Sequence, residues 1–266
     1  MPDDKIRLRE FLSTCVVDEA GRKKNLASVL QRGLPMVEQI PERGEPLAIV
    51  ASGPSVPAYL DELRCWPGKI WAINGAYRYL LDHGVVPDGF FGMDPLPGLA
   101  QYVERTDPRT KFYICSICDP AVFDNLVDRN VLLWHPDGEG VEYPPDQWVI
   151  GGGTTAVTRA PYLALLQGFR DITLYGVDSS FDNGEMYCYR HGTYECDSDN
   201  IKLMVEVNGE GPFVTELSLM KQVSQLYVLH DRFAGKLTFR CGGLLEAFMR
   251  APMTDSDLFE VEKDAA

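Results

Sequence analysis

The stretch Leu47–Leu63, LAIVASGPSVPAYLDEL, decides how the chain is read. It opens on Leu47-Ala48-Ile49-Val50-Ala51, an unbroken apolar run of strand length, the pattern of a strand buried on both faces. It breaks at Ser52-Gly53-Pro54-Ser55 and resumes with Val56, Tyr59, Leu60 and Leu63 at i, i+3, i+4 and i+7, one face of a helix. Ser55 suits the N-cap and Pro57 the first turn, where a missing N–H costs nothing. A strand that passes through a Gly/Ser turn into a helix N-terminus aims backbone N–H groups and a partial positive charge at one point. A phosphate can be held there without a basic residue. The same pattern also serves as a βα turn that binds nothing.

Outward from this stretch, strands and helices alternate. Lys69–Ile73 reads as a buried strand ended by Asn74-Gly75, with a helix from Ala76 to His83-Gly84. Gly89–Met93 is a short strand with Asp94 at its end, followed by a helix over 98–105, a strand over 111–115, a helix over 121–129 and a strand over 131–134. Pro136 to Gln147 is loop. Val149-Ile150 leads through Gly151–Thr155 into a helix that Pro161 should kink or whose hydrogen bonding it should thin, and Ile172–Val177 is a strand ending in Asp178. Residues 179–212 show no regular pattern, 215–234 read as a helix, 237–240 as a last strand and 244–249 as a short helix.

The alternation predicts an α/β chain: a Rossmann-like, doubly wound, mostly parallel sheet with helices on both faces. Residues 1–44 read as a helical N-terminal extension, 45–250 as the main domain, and 251–266 as an acidic, disordered tail. Ligands of such sheets sit beyond the carboxyl ends of the strands, where the strand order reverses. Ser52–Ser55, Asn74-Gly75, Asp94, Gly151–Thr155 and Asp178-Ser179 all follow predicted strands, which argues for one shared crevice.

Composition narrows the function. The 266 residues carry a net charge of −14, and the only basic run is Arg22-Lys23-Lys24, so an extended nucleic acid partner is disfavoured. No apolar run approaches the roughly 20 residues that span a bilayer. The charged start, MPDDKIRLREF, is unlike a secretory signal, so a cytoplasmic protein is expected. The odd count of seven cysteines fits reduced thiols. Cys115 and Cys118 have CxxC spacing and Cys188, His191 and Cys196 cluster later, but paired zinc spacings are usually tighter. Cys115 is expected to pack within its strand as a small hydrophobe.

Three segments, AIVASGPSV, AINGAYRYLLDHGVVPDGFFGMDP and GGGTTAVTRAPYLALLQGFRDITLYGVDSSF, resemble the Maf motility-associated (flagellin glycosyltransferase-like) family, which shares a domain with the archaeal 6-hydroxymethylpterin diphosphokinase MptE-like proteins. The resemblance covers roughly 45–250. It departs at Arg240-Cys241-Gly242-Gly243, where the family has Asn-Ala-Thr-Glu-Gly-Gly. A weaker likeness to the family-42 bacterial sialyltransferases runs through the Gly-Pro-Ser turn, Asn74, Gly153-Thr154-Thr155 and Tyr175–Asp178. The resemblance implies a transferase that binds a nucleotide-activated donor, a nucleotide sugar or ATP. It places Ser52, Gly53, Pro54, Ser55 and Asn74 by the nucleotide, Gly152, Gly153, Thr154 and Thr155 at ribose or phosphate, and Asp178 and Ser179 along the crevice. The acceptor would be a small molecule or protein-linked.

Candidate chemistry follows from this. His191 is suited to general acid–base work near neutral pH, with Tyr187 or Tyr189 and Arg190 stabilising charge on a leaving phosphate. The alternative for His191 is a solvated loop residue. Asp94 is a candidate catalytic carboxylate and Mg²⁺ ligand against a diphosphate, or a cap on the turn before Pro95. The sequence has Met-Asp-Pro rather than Asp-x-Asp, which weakens a metal-dependent glycosyltransferase and a Mg²⁺-dependent ATP diphosphokinase alike. A non-catalytic nucleotide- or sugar-binding accessory protein is the third reading. The P-loop, GxGxxG and GxSxG patterns are absent.

Overall fold

A computed structural model describes residues 17–189 and 202–250. The strands are β1 (Leu47–Val50), β2 (Lys69–Ile73), β3 (Gly89–Gly92), β4 (Lys111–Cys115), β5 (Asn130–Pro136), β6 (Val149–Ile150), β7 (Ile172–Tyr175), β8 (Lys202–Val207), β9 (Glu210–Glu216) and β10 (Leu237–Arg240). Eight of them form one sheet in the order β10-β7-β1-β2-β3-β4-β5-β6, every pairing parallel. Strand β1, buried along its whole length as its apolar run predicts, lies between β2 and β7, with Leu47 in register with both Lys69 and Ile172. The chain winds outward from β1 to the β6 edge and then returns to lay β7 on the other side of β1. The strand order therefore reverses between β1 and β7, as a doubly wound sheet requires.

The helices are α1 (Glu19–Leu30), α2 (Leu60–Arg64), α3 (Ala76–Asp82), α4 (Pro120–Asp124), α5 (Ala156–Leu166), α6 (Leu217–Arg232) and α7 (Gly243–Arg250). Helices α5, α6 and α7 pack together, and α1 packs on α4, as expected when right-handed crossovers send the two halves of a doubly wound sheet to opposite faces. Aromatic rings fill the interior of the sheet, with Phe91 stacked on Trp134 at 4.8 Å and Trp71 tilted against Tyr113 at 4.5 Å.

Several local expectations are corrected. Within the stretch read as a helical extension, α1 ends at Leu30, and residues 31–46 are not helical. They form an extended strap that bonds along the edge of β5, Val37 N–H to the Leu133 carbonyl at 2.8 Å, and on to Leu166 and Gly168. The helix expected over 98–105 is a 3₁₀ helix over Pro97–Val103, and that over 121–129 shortens to α4. The segment 179–212 is not patternless, because β8 and β9 form an antiparallel hairpin turning at Asn208-Gly209, both at positive φ. Thr215 and Glu216 end β9, so α6 starts at Leu217. Pro161 falls inside α5, as expected. The tail 251–266 lies outside the described residues.

Candidate functional site

The strand-order reversal brings the ends of β1 and β7 side by side. Gly53 N–H donates to the Gly176 carbonyl at 2.8 Å. A Cβ on Gly53 would fall 2.3 Å from Asp178 Oδ2 and 2.4 Å from that carbonyl, so only glycine fits. Asp178 is 2% exposed. Its Oδ2 accepts Ser55 N–H at 2.8 Å, its Oδ1 accepts Gly242 N–H at 2.6 Å, and its carbonyl accepts Leu245 N–H at 3.1 Å. One carboxylate thus fastens the loops after β1, β7 and β10.

This changes the reading of the first turn. Ser55 does not cap the following helix. Its hydroxyl is buried without a partner, its amide goes to Asp178, and the chain enters α2 through a 3₁₀ turn, Val56–Tyr59. The amides of Gly53 and Ser55 are taken and Pro54 has none. The open helix N-terminus belongs to the second loop instead. There Thr154 N–H donates to Gln225 Oε1 (3.0 Å) and Thr155 N–H to Thr158 Oγ1 (3.2 Å), which fixes the approach to α5. The first-turn amides of Ala156 and Val157 follow, where an α-helix supplies no partner. A Cβ on Gly153 would meet Gln225 Oε1 at 2.2 Å and Thr158 Oγ1 at 2.5 Å, so a side chain there would displace the groups that hold the loop.

Between the two loops lies a cleft of about 290 Å³, lined by Ser52, Asn74, Thr155, Ser179, Tyr187 and Tyr189 among others. Asn74 sits in the left-handed region (φ 49°) with its Oδ1 buried and unpartnered. Tyr187 and Tyr189 stack at 5.7 Å, and the Tyr189 hydroxyl reaches Ser52 Oγ at 3.4 Å over Gly75, whose Cβ would lie 1.7 Å from it. Burial pushes the Tyr189 hydroxyl up to about 12. Cys188 N–H donates to the Ser52 carbonyl at 2.8 Å, pinning this strap across the end of β1. Ser179 Oγ is held by Gln222 Nε2 at 3.1 Å.

A second chamber of about 630 Å³ adjoins the cleft through Asn74, Thr155 and Ala156, and contains Asp94, Gly152, Gly153 and Thr154. Asp94 Oδ1 caps its own turn, accepting Leu96 N–H at 2.9 Å, and burial holds the carboxyl above its usual range. Among the described residues no group of three or more His, Cys, Asp or Glu side chains is placed to hold a metal. Cys115 and Cys118 are both buried in the core. His191 and Arg190, like Cys196, lie outside the described residues.

The structure therefore gathers Ser52, Gly53, Pro54, Asn74, Thr155, Asp178, Ser179 and Tyr187 at one cleft and Asp94, Gly152, Gly153 and Thr154 at its neighbour. Ser55 lies behind the turn, beside Gly242. Gln222 and Gln225, which hold Ser179 and Thr154, were not singled out in the sequence. Both come from mid-helix α6, and nothing local marks them. His135 is no crevice residue. It is buried between Ser116 Oγ (2.7 Å) and Gln147 Oε1 (2.6 Å), stacked on Tyr143.

Residues 23–184, more than half of the chain, match the 6-hydroxymethylpterin diphosphokinase MptE-like family. Among solved structures the chain is similar to the Maf glycosyltransferase from Magnetospirillum magneticum AMB-1, at 17% identity and a TM-score of 0.65. The match covers 91% of this chain but 40% of that one, so the likeness shows a shared fold with part of a longer protein. No curated protein matches the chain. Among the described residues no helix is long and apolar enough to cross a membrane. The α/β, Rossmann-like fold and the expected kinship are both borne out, and the chain belongs to the MptE-like family.

Proposed function

We propose that the chain is a transferase that binds a nucleotide-activated donor in the cleft, and that the donor is a nucleotide sugar from which a glycosyl group passes to an acceptor hydroxyl. The carrying observation is the convergence of the α5 N-terminus, Thr155, Ser52 and the unpartnered Asn74 Oδ1 at the strand-order reversal. The amides opening α5 suit a donor phosphate, and Asn74 Oδ1 suits a nucleotide O–H or N–H. In the transfer, the acceptor oxygen bonds to the donor's anomeric carbon as the carbon–oxygen bond to phosphate breaks, its electron pair leaving with the phosphate. His191 takes the acceptor proton, and Tyr187 with Arg190 stabilises the departing charge.

The family's description favours a second reading, pyrophosphoryl transfer from ATP to a pterin-like alcohol. Mg²⁺ is commonly held by one or two carboxylates plus substrate phosphates. Asp94 is the carboxylate in place for this, although its burial opposes the ionised form a metal needs. A thermal-shift screen with CMP, UDP, GDP, ATP and their sugar conjugates, with and without Mg²⁺, separates the readings. A ligand at about 100 times its Kd adds roughly 2.7 kcal/mol of stability. Stabilisation by the sugar conjugates of one base without metal is expected. A shift confined to ATP with Mg²⁺ would favour the diphosphokinase. Donor binding without turnover, unchanged by His191→Ala, would leave an accessory binding protein.

A further inference from the structure

Two chambers flank the donor cleft, and they differ in how they meet it. The one behind the first turn, about 460 Å³, shares Pro54, Asp178 and Ser180 with the cleft. That wall is fastened by the Asp178 bonds to Ser55 and Gly242, so the two spaces are partitioned. The larger chamber, about 630 Å³, meets the cleft at Asn74, Thr155 and Ala156, where the donor's nucleoside and phosphate would join. Its volume is ordinary for a small-molecule site.

The walls of the larger chamber select a ligand class. Two guanidinium groups, Arg22 and Arg159, face three carboxylates, Asp94, Asp137 and Glu139. Both cations are engaged within the wall. Arg159 donates to the carbonyls of Gly153, Asp137 and Ile150 and to Glu139 Oε1, and Arg22 donates to the carbonyls of Glu139 and Val17. What is left open to the chamber is acceptor-rich: only one Asp94 oxygen is bonded, and the Asp137 carboxylate stands on the exposed rim. A lining rich in hydrogen-bond acceptors, with its cations occupied, suits a donor of several O–H groups and repels phosphate or carboxylate. Helix α1 closes the outer side, anchored by Asn25 Nδ2 on the carbonyls of Pro95 and Ile117, both at 3.1 Å.

We infer that this chamber is the acceptor subsite and that it takes a neutral, polyhydroxyl acceptor such as an uncharged saccharide. The inference rests on the donor cleft proposed above. Saturation-transfer NMR on the full chain tests it, with methyl glucoside, methyl galactoside and N-acetylglucosamine set against glucose 6-phosphate and N-acetylneuraminate, each with and without the nucleotides of the thermal screen. Neutral saccharides should show contact with the wild type, and Met93→Trp, which fills the chamber, should abolish it while leaving any nucleotide-induced thermal shift in place. Asp137→Arg, on the exposed rim, should turn the preference toward the phosphorylated sugar and serves if Met93→Trp does not fold. Saccharide contact without any nucleotide shift would overturn the donor reading and leave the chamber as a saccharide site. No contact by neutral saccharides, preferred contact by the anionic ones in the wild type, or contact unchanged by both variants would overturn this inference.

Discussion

Asp178 illustrates what a single buried carboxylate does here. With both oxygens accepting backbone N–H bonds, it sets the geometry of the cleft through the loops it joins. Hydrogen bonds to charged groups contribute about 1.5–3 kcal/mol each, so Asp178→Ala is expected to destabilise the chain by about 3 kcal/mol or more and to weaken nucleotide binding. Asp178→Asn, which must turn an NH₂ toward one of the two amides, should show a milder form of both effects. Urea unfolding and nucleotide titration of the two variants check this, and an Ala variant as stable as wild type would contradict it. The glycines offer a sharper contrast. Gly53→Ala drives Cβ against the Gly176 backbone, which cannot yield, and should cost about 2 kcal/mol or more. Gly75→Ala meets only the end of the Tyr189 side chain, which can swing away. It should leave the melting temperature nearly unchanged while weakening nucleotide binding, because Tyr189 and Tyr187 line the cleft. Equal thermal losses in both variants would contradict that distinction.

At the scale of elements, α5 and β5 carry the consequences. Arg159, with its side chain 6% exposed, binds Glu139 and three carbonyls and thereby ties the 137–140 loop to the entry of α5. Arg159→Met leaves Glu139 without its closest partner and should cost about 3–5 kcal/mol, read by urea unfolding. On β5, burial holds the His135 imidazole below its ordinary value of 6.5, and the Gln147 bond opposes this less strongly. The folded chain therefore keeps His135 neutral, while the unfolded chain takes up a proton near pH 6.5. This contribution to stability is intact above that pH and is lost as pH falls through it toward the lower folded value. Urea midpoints at about pH 7.5 and about pH 5.5 should differ less in His135→Gln than in wild type. Identical differences would show that the histidine does not titrate as described. The hairpin of β8 and β9 is written in the sequence. Lys202–Val207 alternates outward and inward, and Asn208-Gly209 is a common two-residue turn. The strap over 31–46 was not legible, because its bonds go to β5 and α5, far along the chain.

For the whole molecule, the doubly wound parallel sheet followed from the sequence, because two-face burial writes itself as short apolar runs such as Leu47–Val50, whereas the strand order comes from the structure alone. Of the polar breaks that follow strands, those at Ser52, Asn74, Thr155 and Asp178 meet at the cleft, while Asp94 and Gly152–Thr154 line the neighbouring chamber. The sequence did not indicate the division of labour between those loops. Which amides stay open depends on Asp178 reaching across to Ser55, and on Gln225 reaching Thr154 from α6, contacts between residues 123 and 71 positions apart. The open N-terminus of α5, and not the Gly53–Ser55 turn, is proposed to receive the donor phosphate. A crystal structure with the nucleotide that stabilises the chain most would test it most directly. The phosphate is expected against the amides of Ala156 and Val157, with the nucleoside beside Ser52 and Asn74. A phosphate bound elsewhere, or seated on amides of Gly53 and Ser55 released from Gly176 and Asp178, would contradict it.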